Sequence, residues 1–189
     1  QDFEVRVNGQ RALRVKPHLA DEAPSLVGGY VGNVGGGIGV VIGGGGAAGS
    51  SNRAAGNYAV VGGGLGNKIY DNMAVIGGGE NNDVAGHHAV VAGGEHNVIN
   101  SADYSAIVGG VSNTMNSTTA FLGGGEQNAV SGNSAALVCG VNNNVSGTLA
   151  FLGGGDNNEA SAVRAALVGG MDNKASSVAA FVGGGVYNK

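Results

Sequence analysis

From about Ser50 onward, one short pattern of apolar, small and polar positions returns again and again. Each unit runs Ala, a variable apolar residue, an aliphatic residue, a small residue, two positions that are Gly apart from Cys139, two variable residues, then Asn. The Asn residues are Asn67, Asn82, Asn97, Asn113, Asn128, Asn143, Asn158, Asn173 and Asn188, spaced by 15 except for a step of 16 between Asn97 and Asn113. A step of 15 back from Asn67 lands on Asn52. The aliphatic position is filled by Val61, Ile76, Val91, Ile107, Leu122, Leu137, Leu152, Leu167 and Val182. A second apolar position follows each Asn by two residues: Ile69, Val84, Ile99, Met115, Val130, Val145, Ala160 and Ala175. So short a period leaves no room for a helix pair. It suits one turn of a narrow parallel β-solenoid, with two short strands, two corners and coils about 4.8 Å apart. The predicted fold class is therefore all-β: a β-solenoid or β-roll of 15-residue coils.

The residues beside the invariant aliphatic position fall on the other face of the same strand, because side chains alternate with period two. From Ala106 these pairs are Ala106/Val108, Phe121/Gly123, Ala136/Val138, Phe151/Gly153, Ala166/Val168 and Phe181/Gly183. The largest residue with the smallest alternates with a small and a medium one, which is volume matching of the kind a packed face requires. Val60, Val75 and Val90 hold the first of these positions in earlier coils. A strand that is apolar on both faces needs a second covering layer. With no helical segment to supply it, another copy of the chain is expected to cover Val60, Val75, Val90, Ala106, Val108, Phe121, Ala136, Val138, Phe151, Ala166, Val168 and Phe181 in a symmetric homo-oligomer. The Asn residues are expected to turn the following corner, since Asn tolerates the left-handed conformation, and to stack their amides into a ladder.

Residues 1–24 differ in character and form a separate predicted segment, a β-hairpin and linker before the repeat domain of 25–189. Glu4-Val5-Arg6-Val7, Asn8-Gly9 and Gln10 to Val15 read as two alternating strands around a two-residue turn. Leu26-Val27-Gly28-Gly29 with Asn33 reads as a first coil, and Val34 to Ser51 as an enlarged second one. Arg6, Arg11, Arg14 and Lys16 place four of the nine basic residues in the hairpin, an arrangement expected for a solvated strand face or for contact with an acidic neighbour.

Composition narrows the function classes. Gly accounts for 40 of 189 residues, yet without the three-residue period and Pro content of collagen. At 42% hydrophobic residues and a net charge of −4, the chain lacks the signature of disorder. Its scattered basic residues give no patch for nucleic acid, and no apolar run approaches the roughly 18 residues that span a bilayer. No nucleic-acid partner and no membrane insertion by this segment are expected.

Candidate chemistry is sparse. The Gly-rich match at Gly44 to Gly49 is followed by neither a helix nor the acidic residue of a dinucleotide site. His87, His88 and His96 with Glu80, Glu95 and Asp83 mark a possible ion or pH-sensitive site, but their spacing matches no ligand motif. Ser131, Ser146 and Ser161 recur at a corner with no His and carboxylate to activate them. Cys139, in a Gly position, is expected to be a buried, inert thiol. Glu80, Glu95, Glu126 and Asp156 share one row with Val111, Val141 and Met171, and spacing the charges over alternate coils, about 10 Å apart, would reduce repulsion. Val141, Met171 and Val186 are candidate anchors of an adhesive surface. No catalytic, metal or cofactor site is expected.

Units such as Ala120-Phe121-Leu122-Gly123-Gly124-Gly125, followed by Asn128-Ala129-Val130-Ser131-Gly132, resemble the head repeats of trimeric autotransporter adhesins, the YadA-like left-handed parallel β-roll. That resemblance covers about three quarters of the chain, although the family's units are typically shorter and lack the Gly triplet. Similar Gly-rich coils occur in phage tail-fibre tips. The resemblance implies a homotrimer of β-rolls packed about a threefold axis, extracellular or on a cell surface, and binding some external surface or receptor. The expected function is a non-catalytic structural or adhesive rod. The alternatives are a self-assembling fibre subunit, in which the amino-terminal hairpin meets the coil end at Asn188-Lys189 of another unit, and a tail-fibre tip.

Overall fold

The computed structural model describes residues 2–18 and 22–189, so Gln1 and residues 19–21 of the expected linker lie outside the described residues. Twenty-three strands and no helix are found among the described residues, in two sheets of thirteen and ten strands. Strand β1 (Phe3–Val7) and strand β2 (Gln10–Lys16) form the predicted antiparallel hairpin, with Asn8 and Gly9 both at positive φ. Strand β2 then pairs antiparallel with β3 (Ser25–Gly28). From there, successive strands alternate between the sheets, each pairing in parallel with its counterpart one coil on. Strands β4 (Val34–Gly35) and β5 (Val41–Ile42) complete the enlarged coil, whose additional residues form a small loop closed by an antiparallel bridge between Ala47 and Ser50. Solenoid geometry therefore begins at β3, earlier than the regular repeat in the sequence.

The thirteen-strand sheet, here sheet A, contains the hairpin, β3, β5 and every strand carrying the invariant aliphatic residue; the ten-strand sheet, sheet B, starts at β4. Between them lies a one-layer core. Its two rows are those the periodicity marked: Val61 through Leu167 from sheet A, and Ile69 through Ala175 from sheet B, all essentially inaccessible. A row of small residues, Ala59, Ala74, Ala89, Ser105, Ala120, Ala135, Ala150 and Ala165, is buried just before each of these sheet A strands. The 16-residue coil absorbs its extra residue at Ser101, which adopts φ 47°, and the next pairing, Val98 with Thr114, is undisturbed.

Each coil turns two corners: one uses a single residue at positive φ that is usually not Gly, and the other uses such a residue together with a Gly two positions before it. One row comprises Tyr58, Met73, His88, Tyr104, Thr119, Ser134, Leu149, Arg164 and Ala179. The other comprises Asn81, His96, Ser112, Gln127, Asn142, Asn157, Asp172 and Tyr187, each immediately before a repeat Asn. This corrects the expectation that the repeat Asn is itself the left-handed residue: the neighbour makes the turn and frees the Asn side chain to point inward. Gly is obligatory elsewhere. At Gly125 φ is 97°, and a Cβ there would overlap the carbonyl oxygen of Gly140 in the next coil.

Candidate interaction face and side-chain ladders

The outward face of sheet A is one uninterrupted apolar ribbon. Strand pairing places Phe3 beside Val15, Val15 beside Leu26 and Leu26 beside Val41. The same column continues through Val60, Val75, Val90, Ala106, Phe121, Ala136, Phe151 and Ala166 to Phe181. A second column begins with Val5, Leu13 and Gly28 and continues through Gly43, Gly62, Gly77 and Ala92 to Val108, Gly123 and Val138. Neither column contains a polar or charged side chain. Thirteen strands at about 4.8 Å make the ribbon roughly 60 Å long, and two columns of side chains make it about 10 Å wide. In the single chain this surface is open: Phe121 is 42% exposed, Val108 51% and Phe181 73%.

The volume matching read from the sequence has a geometric basis. Each Phe ring lies over the Gly of its own coil, with a ring carbon 3.4 Å from where a Cβ on Gly123 would stand and 3.6 Å at Gly153. In the Phe coils such a Cβ would also overlap a carbonyl of the next coil, that of Val138 for Gly123 and that of Val168 for Gly153. Alternate coils thus differ in backbone as well as side chain. Gly124 and Gly154 have φ near 155°, whereas Cys139, in the intervening coil, has no positive φ. That difference lets a side chain occupy the Gly row there, and Cys139 is exposed, not the buried thiol expected.

The outward face of sheet B is more polar. Beside Val34, Val98 and Ala129 it presents Arg53, Lys68, Asp83, Thr114, Asn144, Glu159 and Lys174, with Lys68 3.7 Å from Asp83 and Lys174 2.8 Å from Glu159. Hydrogen bonds from Lys174 and then Ser161 hold the Glu159 carboxyl below its ordinary value. A groove of about 370 Å³ runs beside this pair, lined by amides and charged groups including Asn142, Asn157, Asp172 and Lys189. At the hairpin end, Arg11 donates to the Val31 carbonyl at 2.6 Å, which covers part of the first coil's open end. Burial and the neighbouring Arg14 both lower its pKa.

The expected amide ladder is present inside one corner. Asn113 is typical: its Oδ1 accepts from the backbone N–H and the Nδ2 of Asn128 at 3.0 and 3.1 Å. Its Nδ2 donates to Asn97 Oδ1, to the Gly109 carbonyl and to the Gly125 carbonyl. Comparable bonds link Asn33 and Asn52 and extend through Asn188. Asn is the short side chain that combines an acceptor with two donors, as this position demands.

Other expectations are redistributed. His87 and His88 precede the strand Val90–Val91, while His96 follows it at the opposite corner, so the three do not converge. His88 stacks on Tyr104 at 5.0 Å, the His87 backbone N–H donates to Asp103, and His96 lies 3.2 Å from Glu95. Among the described residues no group of three or more His, Cys, Asp or Glu is placed to hold a metal. The acidic row is not fully alternating, because Glu80 and Glu95 are direct neighbours; the Asn81 amide donates to Glu80, and His96 stands beside Glu95. Val141, Met171 and Val186 are exposed on that same row. Sequence reasoning missed the ribbon's extension over the hairpin, although the alternation of Phe3, Val5 and Val7 carried the signal. Comparison with protein-family models and with curated proteins returns no match.

Proposed function

We propose that this chain is a non-catalytic structural or adhesive module that self-associates through the sheet A ribbon into an extracellular rod. The observation that carries the reading is the absence of any polar side chain along the ribbon, set against the charged outer face of sheet B. The ribbon's area, about 600 Å², matches the largest exposed patches of monomeric proteins and approaches the roughly 800 Å² per partner of a standard interface. At about 25 cal/mol per Å² its burial offers on the order of 15 kcal/mol, comparable with the upper range of association costs. Association on this surface therefore requires nearly all of it to be covered and is easily upset by one buried charge. Three copies follow from the resemblance to trimeric autotransporter heads, as does the extracellular location. The polar face of sheet B then remains outermost, where an external surface or receptor would be met.

Solution mass by light scattering over a range of concentrations tests the reading. A constant mass of three times 18.3 kDa is expected. Phe121→Glu is expected to give a folded monomer, because that ring is outside the core, with circular dichroism checking the fold. A wild-type monomer would remove self-association from the account. Mass growing without limit would favour the fibre subunit, in which β1 is the free hairpin edge because β2 is already paired with β3 of its own chain.

A further inference from the structure

We infer that the groove beside the Glu159 and Lys174 pair is a binding site for a neutral, extended oligosaccharide with β linkages. The inference rests on the adhesive part of the proposed function, in which the outer face of the rod meets a receptor, and needs no association between copies. Two rows of side chains flank the buried Asn158 and Asn173 and form the walls of the groove. Asn142, Asn157 and Asp172 come from the left-handed corner positions. Asn144, Glu159 and Lys174 come from paired strands of sheet B, and Lys189 stands at the end of the same row. Val98 and Ala129 interrupt this row in earlier coils, so the continuous polar stretch begins after Ala129.

The chemistry of the lining selects the ligand. None of the lining residues is apolar, so nothing there holds the apolar side chains of a peptide. The carboxylates of Glu159 and Asp172 are matched by the ammonium groups of Lys174 and Lys189, which leaves no net charge to draw an anion or a cation. What remains is a dense set of hydrogen-bonding groups. The Asn142 and Asn144 amides have no side-chain partner among the described residues. Asn157 donates to one oxygen of Asp172, which leaves the Asn157 amide oxygen and the second Asp172 oxygen open. Each amide offers two donors and an acceptor, the combination that neighbouring hydroxyls of a sugar require. Successive side chains of a row stand about 4.8 Å apart, close to the rise per unit of an extended β-linked glycan, so successive coils meet successive sugars. Tyr187 continues the corner row past Asp172 and supplies an aromatic ring, against which the C–H face of a sugar packs. The volume of about 370 Å³ falls at the lower end of the roughly 300–1,000 Å³ of small-molecule sites and suits a short segment of such a chain.

Titration of the full chain with cellotetraose, a neutral β-1,4-linked glucose tetramer, followed by saturation-transfer NMR, tests this. A Kd of about 1 mM is expected, weak as suits an open polar groove. Added salt is expected to leave it unchanged, because no net charge is involved. The double variant Asn142→Ala, Asn144→Ala is expected to weaken binding about tenfold while keeping the circular dichroism and solution mass of the wild type, since both side chains are exposed and support nothing in the fold. No saturation at about 10 mM, ten times that Kd, would overturn the proposal. Unweakened binding by the double variant would place the glycan elsewhere and overturn it too. Tighter binding of a heparin tetrasaccharide, lost as salt is added, would overturn the neutral class of ligand. Phe121→Glu separates this site from the ribbon, because it is expected to bind cellotetraose like the wild type even as a monomer. A wild-type trimer indifferent to the glycan would overturn this inference alone, and a wild-type monomer that binds it would overturn self-association alone.

Discussion

An amide in the Asn row has few substitutes, since each side chain serves its own coil and both neighbours. Removing Asn113 leaves the buried Asn128 backbone N–H without its acceptor and takes a donor from the half-buried Gly109 carbonyl and from the Gly125 carbonyl, which keeps the Val111 N–H. A buried group left unpaired costs about 1–3 kcal/mol, so Asn113→Ala is expected to lose about 3 kcal/mol in urea unfolding. Asn113→Asp should be at least as damaging, because it keeps the acceptor but sets a buried carboxylate against two carbonyls. The residue just before the Asn tolerates far more variety. Ser112, Gln127, Asn142 and Tyr187 all take the same left-handed conformation, which costs about 1–2 kcal/mol for a residue with a Cβ. Stacking on both sides fixes that geometry whatever the side chain, so no residue type marks it in the sequence.

Among the strands, period-two alternation was legible wherever a side chain has an inside and an outside. Leu122, Val130 and Leu137 sit where the spacing put them, in a core one layer thick. Less legible was how the hairpin attaches. Its apolar face joins the ribbon because β2 pairs with β3 at Val15 and Leu26, a register fixed by the docking of one antiparallel element on another and not by any period. Cys139 escaped for a related reason, since its exposure depends on a backbone difference between alternate coils that composition does not record. On sheet B, the neighbouring strands Glu159–Ala160 and Lys174–Ala175 carry the ion pair that depresses the Glu159 pKa. A lowered carboxyl pKa contributes stability above the ordinary value of 4.5, and that contribution is lost as pH falls through the lowered one. Both side chains are over a third exposed, so the pair is worth about 0.5 kcal/mol. Glu159→Gln should lower stability by that small amount at pH 7 and leave it nearly equal to wild type in strong acid, as thermal unfolding across pH would show.

At the scale of the whole molecule, one thin solenoid carries an apolar ribbon on one side and a more polar face on the other; the proposed self-association uses the first and leaves the second to the surroundings. The alternation of Phe coils with Val coils gives the rod a discrete arithmetic of length. Removing residues 121–135 would set the Ala106 coil directly against the Ala136 coil, leaving two shallow rungs together, whereas removing 121–150 would bring Ala106 next to Phe151 and keep the sequence of rungs intact. Both deletions preserve the 15-residue step and are expected to fold by circular dichroism. Light scattering should then find the shorter deletion the weaker in association, despite its retaining more of the chain. On the proposed self-association, a lineage of such proteins can lengthen or shorten in pairs of coils with little disturbance, while a change by a single coil disturbs the packing between copies.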